Sequence, residues 1–133
     1  NWYYTSWKAD ESKSGGIASN IGVHFFDMLQ WIFGPMQSFS VIEKSKSTNS
    51  GTLELKQANV NWYLSIDSNN LPEQVKKENL TTFRNLSIEG ELIEFSKGFT
   101  DLHTVSYQNV LEGFGYELKD AKNSIEIISK IRN

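Results

Sequence analysis

Apolar residues near the N-terminus recur every three or four positions after the glycine pair Gly15-Gly16. The recurring residues are Ile17, Ile21, Phe25, Met28, Leu29 and Ile32. This spacing predicts an α-helix with one apolar face. We expect the helix to end at Gly34-Pro35, because glycine accepts a left-handed C-cap and proline cannot continue a helix.

Beyond this helix the apolar period changes to two, which indicates β-strands. The alternating residues are Phe39 and Val41, then Leu53 and Leu55, then Ala58, Val60, Trp62, Leu64 and Ile66. The second group uses odd positions and the third uses even positions, so one regular strand cannot bury both on one face. The pattern therefore predicts a tight turn or a bulge near Lys56-Gln57.

The second half of the chain predicts a loop, a hairpin and two helices. Residues 69–79 are mostly polar and predict a loop, and residues 83–89 and 91–95 predict a hairpin that turns at Gly90. Residues 105–111 predict one helix, and an apolar stripe predicts a second. The stripe consists of Leu118, Ala121, Ile125, Ile128 and Ile131.

The N-terminal residues 2–7 are aromatic or β-branched and favour a strand, whereas the polar residues 8–14 indicate a loop. The predicted order is then one strand, one helix, several consecutive strands and two helices. This order favours an α+β fold with a mostly antiparallel sheet.

Composition limits the function classes. The 133 residues suit one domain, and the absence of cysteine excludes a disulfide or thiolate-metal scaffold. With 13 basic and 16 acidic residues, the chain has no electrostatic footprint for nucleic acid or an anionic membrane, and no apolar run is long enough for a membrane span. We expect a cytoplasmic globular domain, and because it starts at Asn1 we expect it to be part of a longer protein.

His24 is the first candidate for chemistry. It follows Asn20 by four residues, so both side chains project from one face of the predicted helix. Taken alone, His24 suits either a structural histidine beside Phe25 and Phe26 or a site residue near a helix N-terminus that favours anions. The second histidine, His103, is distant in sequence, and no spacing links it with carboxylates in a metal-ligand pattern. We therefore predict no metal site.

Two other motifs have structural interpretations. His103 and Thr104 follow Thr100-Asp101, which is typical of a helix N-cap. Gly113-Phe114-Gly115 has Leu118 at the third glycine position of a dinucleotide-binding motif, and it follows a helix, so it predicts a turn between helices.

Residues 14–27, with a glycine pair, Asn20 and His24, resemble a hallmark of the Gfo/Idh/MocA oxidoreductase family. Further segments are similar to one subgroup, which oxidises C3 of UDP-N-acetylglucosaminuronate in lipopolysaccharide O-antigen biosynthesis. These segments are residues 2–8, residues 62–67 with Leu71-Pro72, and residues 98–104 with Tyr107. The similarity covers essentially the whole chain.

The resemblance implies that residues 1–133 form one domain, the C-terminal substrate-binding and oligomerisation domain of an NAD-dependent dehydrogenase. It implies an open, mostly antiparallel sheet with helices packed on one face, whose other face commonly packs against a second subunit. The sequence lacks the family's N-terminal Rossmann domain and its Glu-Lys-Pro lysine. We therefore expect that domain to bind NAD, and we expect this chain alone to be inactive.

The same resemblance implies roles for individual residues. His24 accepts the proton of the sugar hydroxyl, together with the lysine of the absent domain. Asn20 stands where most of the family has Asp, and its amide can hydrogen-bond but cannot stabilise an imidazolium by charge. Lys8, Arg84 and the N-terminus of the first helix are candidates to meet the uronate carboxylate or the diphosphate. The weaker substrate-side candidates are His103, Thr104 and Tyr107.

Two alternatives stay open at this point. The chain could belong to another sugar or cyclitol dehydrogenase of the same family, or it could be a non-enzymatic module that oligomerises or binds a partner. The polar face of the long strand suits either a homo-oligomer interface or solvent. This face carries Asn59, Asn61, Tyr63, Ser65 and Asp67.

Overall fold

A computed structural model of the chain describes residues 2–96 and 101–132. The chain divides into two compact units, one of residues 1–66 with 117–133 and one of residues 67–116. The helices and strands are α1 (Trp2–Thr5), α2 (Glu11–Ser14), α3 (Val23–Phe33), β1 (Met36–Lys44), β2 (Thr48–Leu55), β3 (Asn59–Ser65), α4 (Glu73–Lys77), β4 (Asn85–Ile88), β5 (Glu91–Glu94), α5 (Leu102–Leu111) and α6 (Leu118–Arg132). A 3₁₀ turn lies at Trp7–Ala9, and a π-helical turn at Ala18–Gly22 leads directly into α3.

The sheet of the first unit is antiparallel, with β2 between β1 and β3. Leu53 pairs with Val60 across β2 and β3, and the odd residues of β2 and the even residues of β3 lie on one buried face. The change of parity takes place at Lys56-Gln57, where the Leu55 N–H donates to the Ala58 carbonyl at 2.8 Å. The predicted turn is confirmed.

Two helices cover the buried face of this sheet. Phe26 of α3 meets Trp62 of β3 edge to face, with ring centroids 5.4 Å apart. The helix α6 packs against α3, where the Ser124 hydroxyl donates to the Asp27 carboxylate, and Ile127 of α6 is fully buried. A Cβ on Gly22 would lie 2.9 Å from Leu64, so the π-helical turn needs glycine to approach β3 this closely. The α+β fold with an antiparallel sheet and the two predicted helices are confirmed.

The predicted apolar stripe of the second helix is wrong in part, because Leu118, Ala121 and Ile125 are exposed. The buried side of α6 consists of Ser124, Ile127, Ile128 and Ile131, which recur at spacings of three and four around a different direction of the helix.

The second unit contains α4, the hairpin of β4 and β5, and α5. The hairpin turns at Glu89 and Gly90, which both have positive φ, of 52° and 90°. Two consecutive residues with positive φ are typical of the tight turns that match strand twist, so the predicted hairpin is confirmed. Residues 97–100, which include the predicted N-cap residue Thr100, lie outside the described residues.

The prediction of a strand at residues 2–7 and a loop at residues 8–14 is wrong. These residues form α1, the 3₁₀ turn and α2 in succession. The Ser6 hydroxyl donates to the Tyr3 carbonyl, and the Asp10 carboxylate caps α2 by accepting from the Ser12 N–H. Strand propensity depends on packing against a neighbouring strand, and these local side-chain bonds favour turns over extension.

The loop prediction for residues 69–79 is also incomplete, because it missed α4. Pro72 immediately precedes this helix, Glu73 lies in its first turn, and Lys76 and Lys77 lie in its last turn. This charge order suits the helix dipole. None of the helices described is long and apolar enough to cross a membrane.

Candidate functional site

The helical segment that leads through the π-helical turn into α3 is tied at its N-terminus to the preceding turn by one hydroxyl. Ser14 Oγ donates to the Lys8 carbonyl at 2.8 Å and accepts from the Gly16 N–H at 3.0 Å. Gly15 and Gly16 both have positive φ, near 75° and 78°. The glycine pair thus turns the chain sharply, and Ser14 holds the Lys8 backbone beside the start of the helix.

Asn20 lies in the π-helical turn, where its amide nitrogen bridges two elements. Asn20 Nδ2 donates to the Gly16 carbonyl at 2.9 Å and to the Tyr3 hydroxyl at 3.3 Å. The second bond joins α1 to the π-helical turn. The two hydrogen-bond partners of Asn20 in the described part of the chain are Gly16 and Tyr3, so Asn20 makes no hydrogen bond to His24 there.

Tyr3 is a buried residue at this position, with only 6% of its surface exposed. Burial raises the pKa of Tyr3 above its ordinary value of 10.0, and Tyr4 and Glu11 raise it further, whereas the hydrogen bond with Asn20 opposes the shift. The Tyr3 hydroxyl is therefore neutral near pH 7.

His24 lies at the start of α3, directly after the π-helical turn, and its side chain is exposed. In that turn the Val23 N–H bonds to the Ala18 carbonyl five residues earlier. A π-helical turn contains more residues than an α-helical one. Residues four positions apart across this turn, such as Asn20 and His24, are therefore separated by less than one full turn. The imidazole has no hydrogen-bond partner within residues 2–96 and 101–132, so a ligand can reach it.

The other predicted site residues lie in the second unit. His103, Thr104 and Tyr107 lie on α5, and all three side chains are exposed. Asp101 precedes α5 with φ of 57° and makes no side-chain capping bond. Arg84 is part of the hairpin, where its guanidinium donates to the Ser96 carbonyl at 3.2 Å.

The structure thus places the Lys8 backbone beside Ser14, Asn20 in the π-helical turn and His24 at the start of α3, all in the first unit. Their roles as ligands of a substrate stay predictions. Sequence reasoning missed Tyr3 and Ser14 as residues that build this region. A serine just before a glycine pair was a usable signal for Ser14, but no local pattern links Tyr3 to a residue 17 positions away.

The available side-chain ligands and the sheet topology decide whether these residues could hold a metal or a dinucleotide. In the described part of the chain, no group of three or more His, Cys, Asp or Glu side chains could hold a metal ion. Both described sheets are antiparallel, whereas a dinucleotide fold needs parallel strands with a glycine-rich turn between strand and helix. The described residues therefore do not form a dinucleotide-binding fold.

Comparisons with known proteins agree with the α+β fold of the chain. A sequence model described as "Oxidoreductase family, C-terminal alpha/beta domain" (GFO_IDH_MocA_C) matches residues 1–69. A crystal structure of the WlbA (WbpB) dehydrogenase from Thermus thermophilus with NAD and alpha-ketoglutarate is 45% identical to the chain, with a TM-score of 0.93. A second structure of the dehydrogenase from this organism, with NAD and UDP-GlcNAcA, is 44% identical, also with a TM-score of 0.93.

Both matches cover 100% of this chain but 43% of the dehydrogenase chain. The chain therefore spans less than half the length of the solved proteins that it resembles. The family resemblance inferred from the glycine pair and His24 is confirmed.

Proposed function

The chain belongs to the Gfo/Idh/MocA oxidoreductase family, and we propose that it is the substrate-binding domain of an NAD-dependent nucleotide-sugar dehydrogenase. The proposed reaction oxidises the C3 hydroxyl of UDP-N-acetylglucosaminuronate, a step of lipopolysaccharide O-antigen biosynthesis. The observation that carries this proposal is 44% identity, over the whole chain, to a dehydrogenase crystallised with NAD and UDP-GlcNAcA.

We infer that NAD is bound mainly by another part of the proposed enzyme, because the described residues do not form a dinucleotide-binding fold. We infer that a Rossmann domain in the rest of the full-length protein binds NAD and supplies the lysine that the family resemblance implies. The chain's coverage of 43% of the related dehydrogenases leaves room for such a domain. We accordingly expect the 133-residue chain alone to be inactive.

His24 is the proposed proton acceptor. Oxidation at C3 transfers a hydride from the carbon to NAD and removes the proton of the hydroxyl, and an imidazole can take up this proton near neutral pH. Support comes from the exposed position of His24 next to the Asn20 turn. The proposed ligands of the sugar, carboxylate and diphosphate groups are Asn20, Lys8, His103, Thr104 and Tyr107.

Homo-oligomerisation through the outer sheet face and a cytoplasmic location stay part of the proposal. The outer face is polar, with Glu54, Asn59 and Asn61 exposed and Tyr63 57% exposed. A polar face with one exposed aromatic ring suits a hydrated contact with a second copy. Sedimentation of the full-length protein and of its Tyr63→Glu variant tests this contact, and we expect the variant to form a smaller oligomer. An unchanged oligomer in Tyr63→Glu would exclude the face around Tyr63 as the interface.

The activity is tested with the full-length protein, NAD and a panel of sugar substrates, by following NADH absorbance. We expect UDP-N-acetylglucosaminuronate to be oxidised and free sugars and cyclitols to react poorly. Preferential oxidation of a cyclitol would contradict the substrate assignment. Turnover by the 133-residue chain alone would contradict the domain assignment.

The site is tested by His24→Ala in the full-length enzyme. Loss of a positioned general base lowers kcat by about 10²–10⁴-fold, and we expect a decrease in this range. Asn123→Ala, on an exposed position of α6, is the control and should retain the wild-type rate. A His24→Ala enzyme with wild-type kcat would exclude His24 as the proton acceptor.

A further inference from the structure

The orientation of the Asn20 amide is determined by its neighbours. The Gly16 carbonyl oxygen lies 2.9 Å from one terminal atom of the amide. A carbonyl oxygen only accepts hydrogen bonds, so the atom that faces it must be Nδ2, the amide's donor. The same nitrogen donates to the Tyr3 hydroxyl at 3.3 Å, which uses the second N–H.

With both N–H groups engaged, the remaining polar atom of Asn20 is the acceptor Oδ1. This oxygen has no partner in the described ranges 2–96 and 101–132, and the side chain is only half-buried. A ligand can therefore reach Oδ1, and it must bring a donor. Asn20 thus presents a neutral acceptor, which resembles one oxygen of the carboxylate found at this position in most of the family.

Tyr3 is suited to hold this orientation. Its ring is buried, so the hydroxyl has little freedom to move, and its bond to Asn20 spans 17 residues between α1 and the π-helical turn. The turn leads directly to His24. Without the hydroxyl, Nδ2 would keep the Gly16 bond alone, and the amide would rotate more freely about it.

We propose that Tyr3 is a positioning residue, which holds the Asn20 amide so that Oδ1 accepts a hydrogen bond from a hydroxyl of the sugar. This inference rests on the proposed function for the identity of the ligand. The hydrogen bond by which Tyr3 orients the amide does not depend on that function.

The kinetic test uses Tyr3→Phe in the full-length enzyme, which removes the hydroxyl and keeps the ring. We expect the KM for the nucleotide sugar to rise about three- to tenfold, the size of one neutral hydrogen bond, with the KM for NAD unchanged. Asn20→Ala should raise the KM for the sugar at least as much. The matched control is Tyr4→Phe, because Tyr4 is the exposed neighbour in α1 and should leave both values unchanged.

A second measurement does not depend on activity. In full-length protein with ¹⁵N-labelled asparagine, we expect the Asn20 side-chain N–H protons to exchange with water about tenfold faster in Tyr3→Phe than in wild type or Tyr4→Phe. Unchanged exchange would overturn the positioning role. An unchanged KM for the sugar in Tyr3→Phe or in Asn20→Ala would overturn the role of Oδ1.

Failure of the proposed function gives a different result. Wild-type protein that does not oxidise the nucleotide sugar contradicts the dehydrogenase assignment and, with it, the sugar as the ligand of Oδ1. The exchange measurement still decides whether Tyr3 holds the amide.

Discussion

At the scale of single residues, Asn20 divides its two polar atoms between fold and ligand. Its nitrogen bonds to Gly16 and Tyr3, and its oxygen stays open to a donor. An amide can do both because it carries a donor and an acceptor on one rigid group, whereas an ionised carboxylate only accepts. Asparagine is therefore suited to this position, because it can donate to Gly16 and Tyr3 and still accept from a ligand.

Asn20→Asp tests this division. Aspartate cannot donate to the Gly16 carbonyl, and one carboxylate oxygen would face that carbonyl oxygen. We expect a loss of about 1–3 kcal/mol in the free energy of unfolding, measured with urea. Asn123→Asp, an exposed change of the same chemistry, should stay within about 0.5 kcal/mol. Equal stability of both variants would show that the hydrogen bond from Asn20 to the Gly16 carbonyl contributes nothing to the free energy of unfolding.

Asp10 predicts a pH dependence. Hydrogen bonds from Ser12, followed by contact with the Lys13 ammonium 3.0 Å away, lower the pKa of Asp10 below its ordinary value of 3.8. Because the folded-state pKa lies below the unfolded one, the stabilisation is present above the unfolded value and is lost as the pH falls through the folded value. Asp10→Asn keeps a capping side chain without the charge.

We therefore expect the stability difference between wild type and Asp10→Asn to shrink from about pH 5 to about pH 3. Urea unfolding at several pH values measures this difference. A difference that stays constant over the range would contradict the lowered pKa of Asp10 in the folded state.

At the scale of elements, the contact between α3 and α6 covers the sheet. Ile127 of α6 is 0% exposed, whereas Ile125 of the same helix is 56% exposed. The buried Ser124 adds a polar contact, since its hydroxyl lies 2.9 Å from the Asp27 carboxylate of α3. The two helices are therefore joined by apolar packing and by one hydrogen bond.

The two isoleucines form a matched pair for measuring this packing. We expect Ile127→Ala to reduce the free energy of unfolding by about 2–5 kcal/mol, because it leaves a cavity in place of a fully buried side chain. Ile125→Ala removes the same atoms from an exposed position and should change stability by less than about 1 kcal/mol. Thermal or urea unfolding gives both values, and similar losses would contradict the observed burial of Ile127.

At the scale of the whole molecule, the chain consists of two units with different degrees of burial. The first unit holds the central strand β2 and the buried faces of α3 and α6. In the second unit, α5 has no buried residue, and Leu111 is 87% exposed. Few buried contacts give an element a low free energy of local opening.

We expect the amides of α5 to exchange with deuterium at least about tenfold faster than those of β2 in this chain. Hydrogen exchange followed by mass spectrometry measures both elements in one sample, and β2 is the internal reference. Equal protection of α5 and β2 would contradict the exposed position of α5, and would mean that other contacts cover this helix.

The elements that could be predicted are those set by local patterns. Apolar spacing identified the helix that ends at Gly34, the parity change identified the turn at Lys56-Gln57, and Gly90 identified the hairpin. Each pattern depends on residues a few positions apart, and such periodicity decides which face an element can bury. The family resemblance came from local motifs in the same way.

The N-terminal aromatic run and the partner of Asn20 were decided only by the tertiary structure. Aromatic residues favour a strand only where a neighbouring strand offers a surface to pack against, so the run took its form from the turns that Ser6 and Asp10 cap. The sequence by itself determined that Asn20 lies four residues before His24. Only the fold brings Tyr3 within hydrogen-bonding distance of Asn20, because contacts between distant residues depend on how whole elements pack.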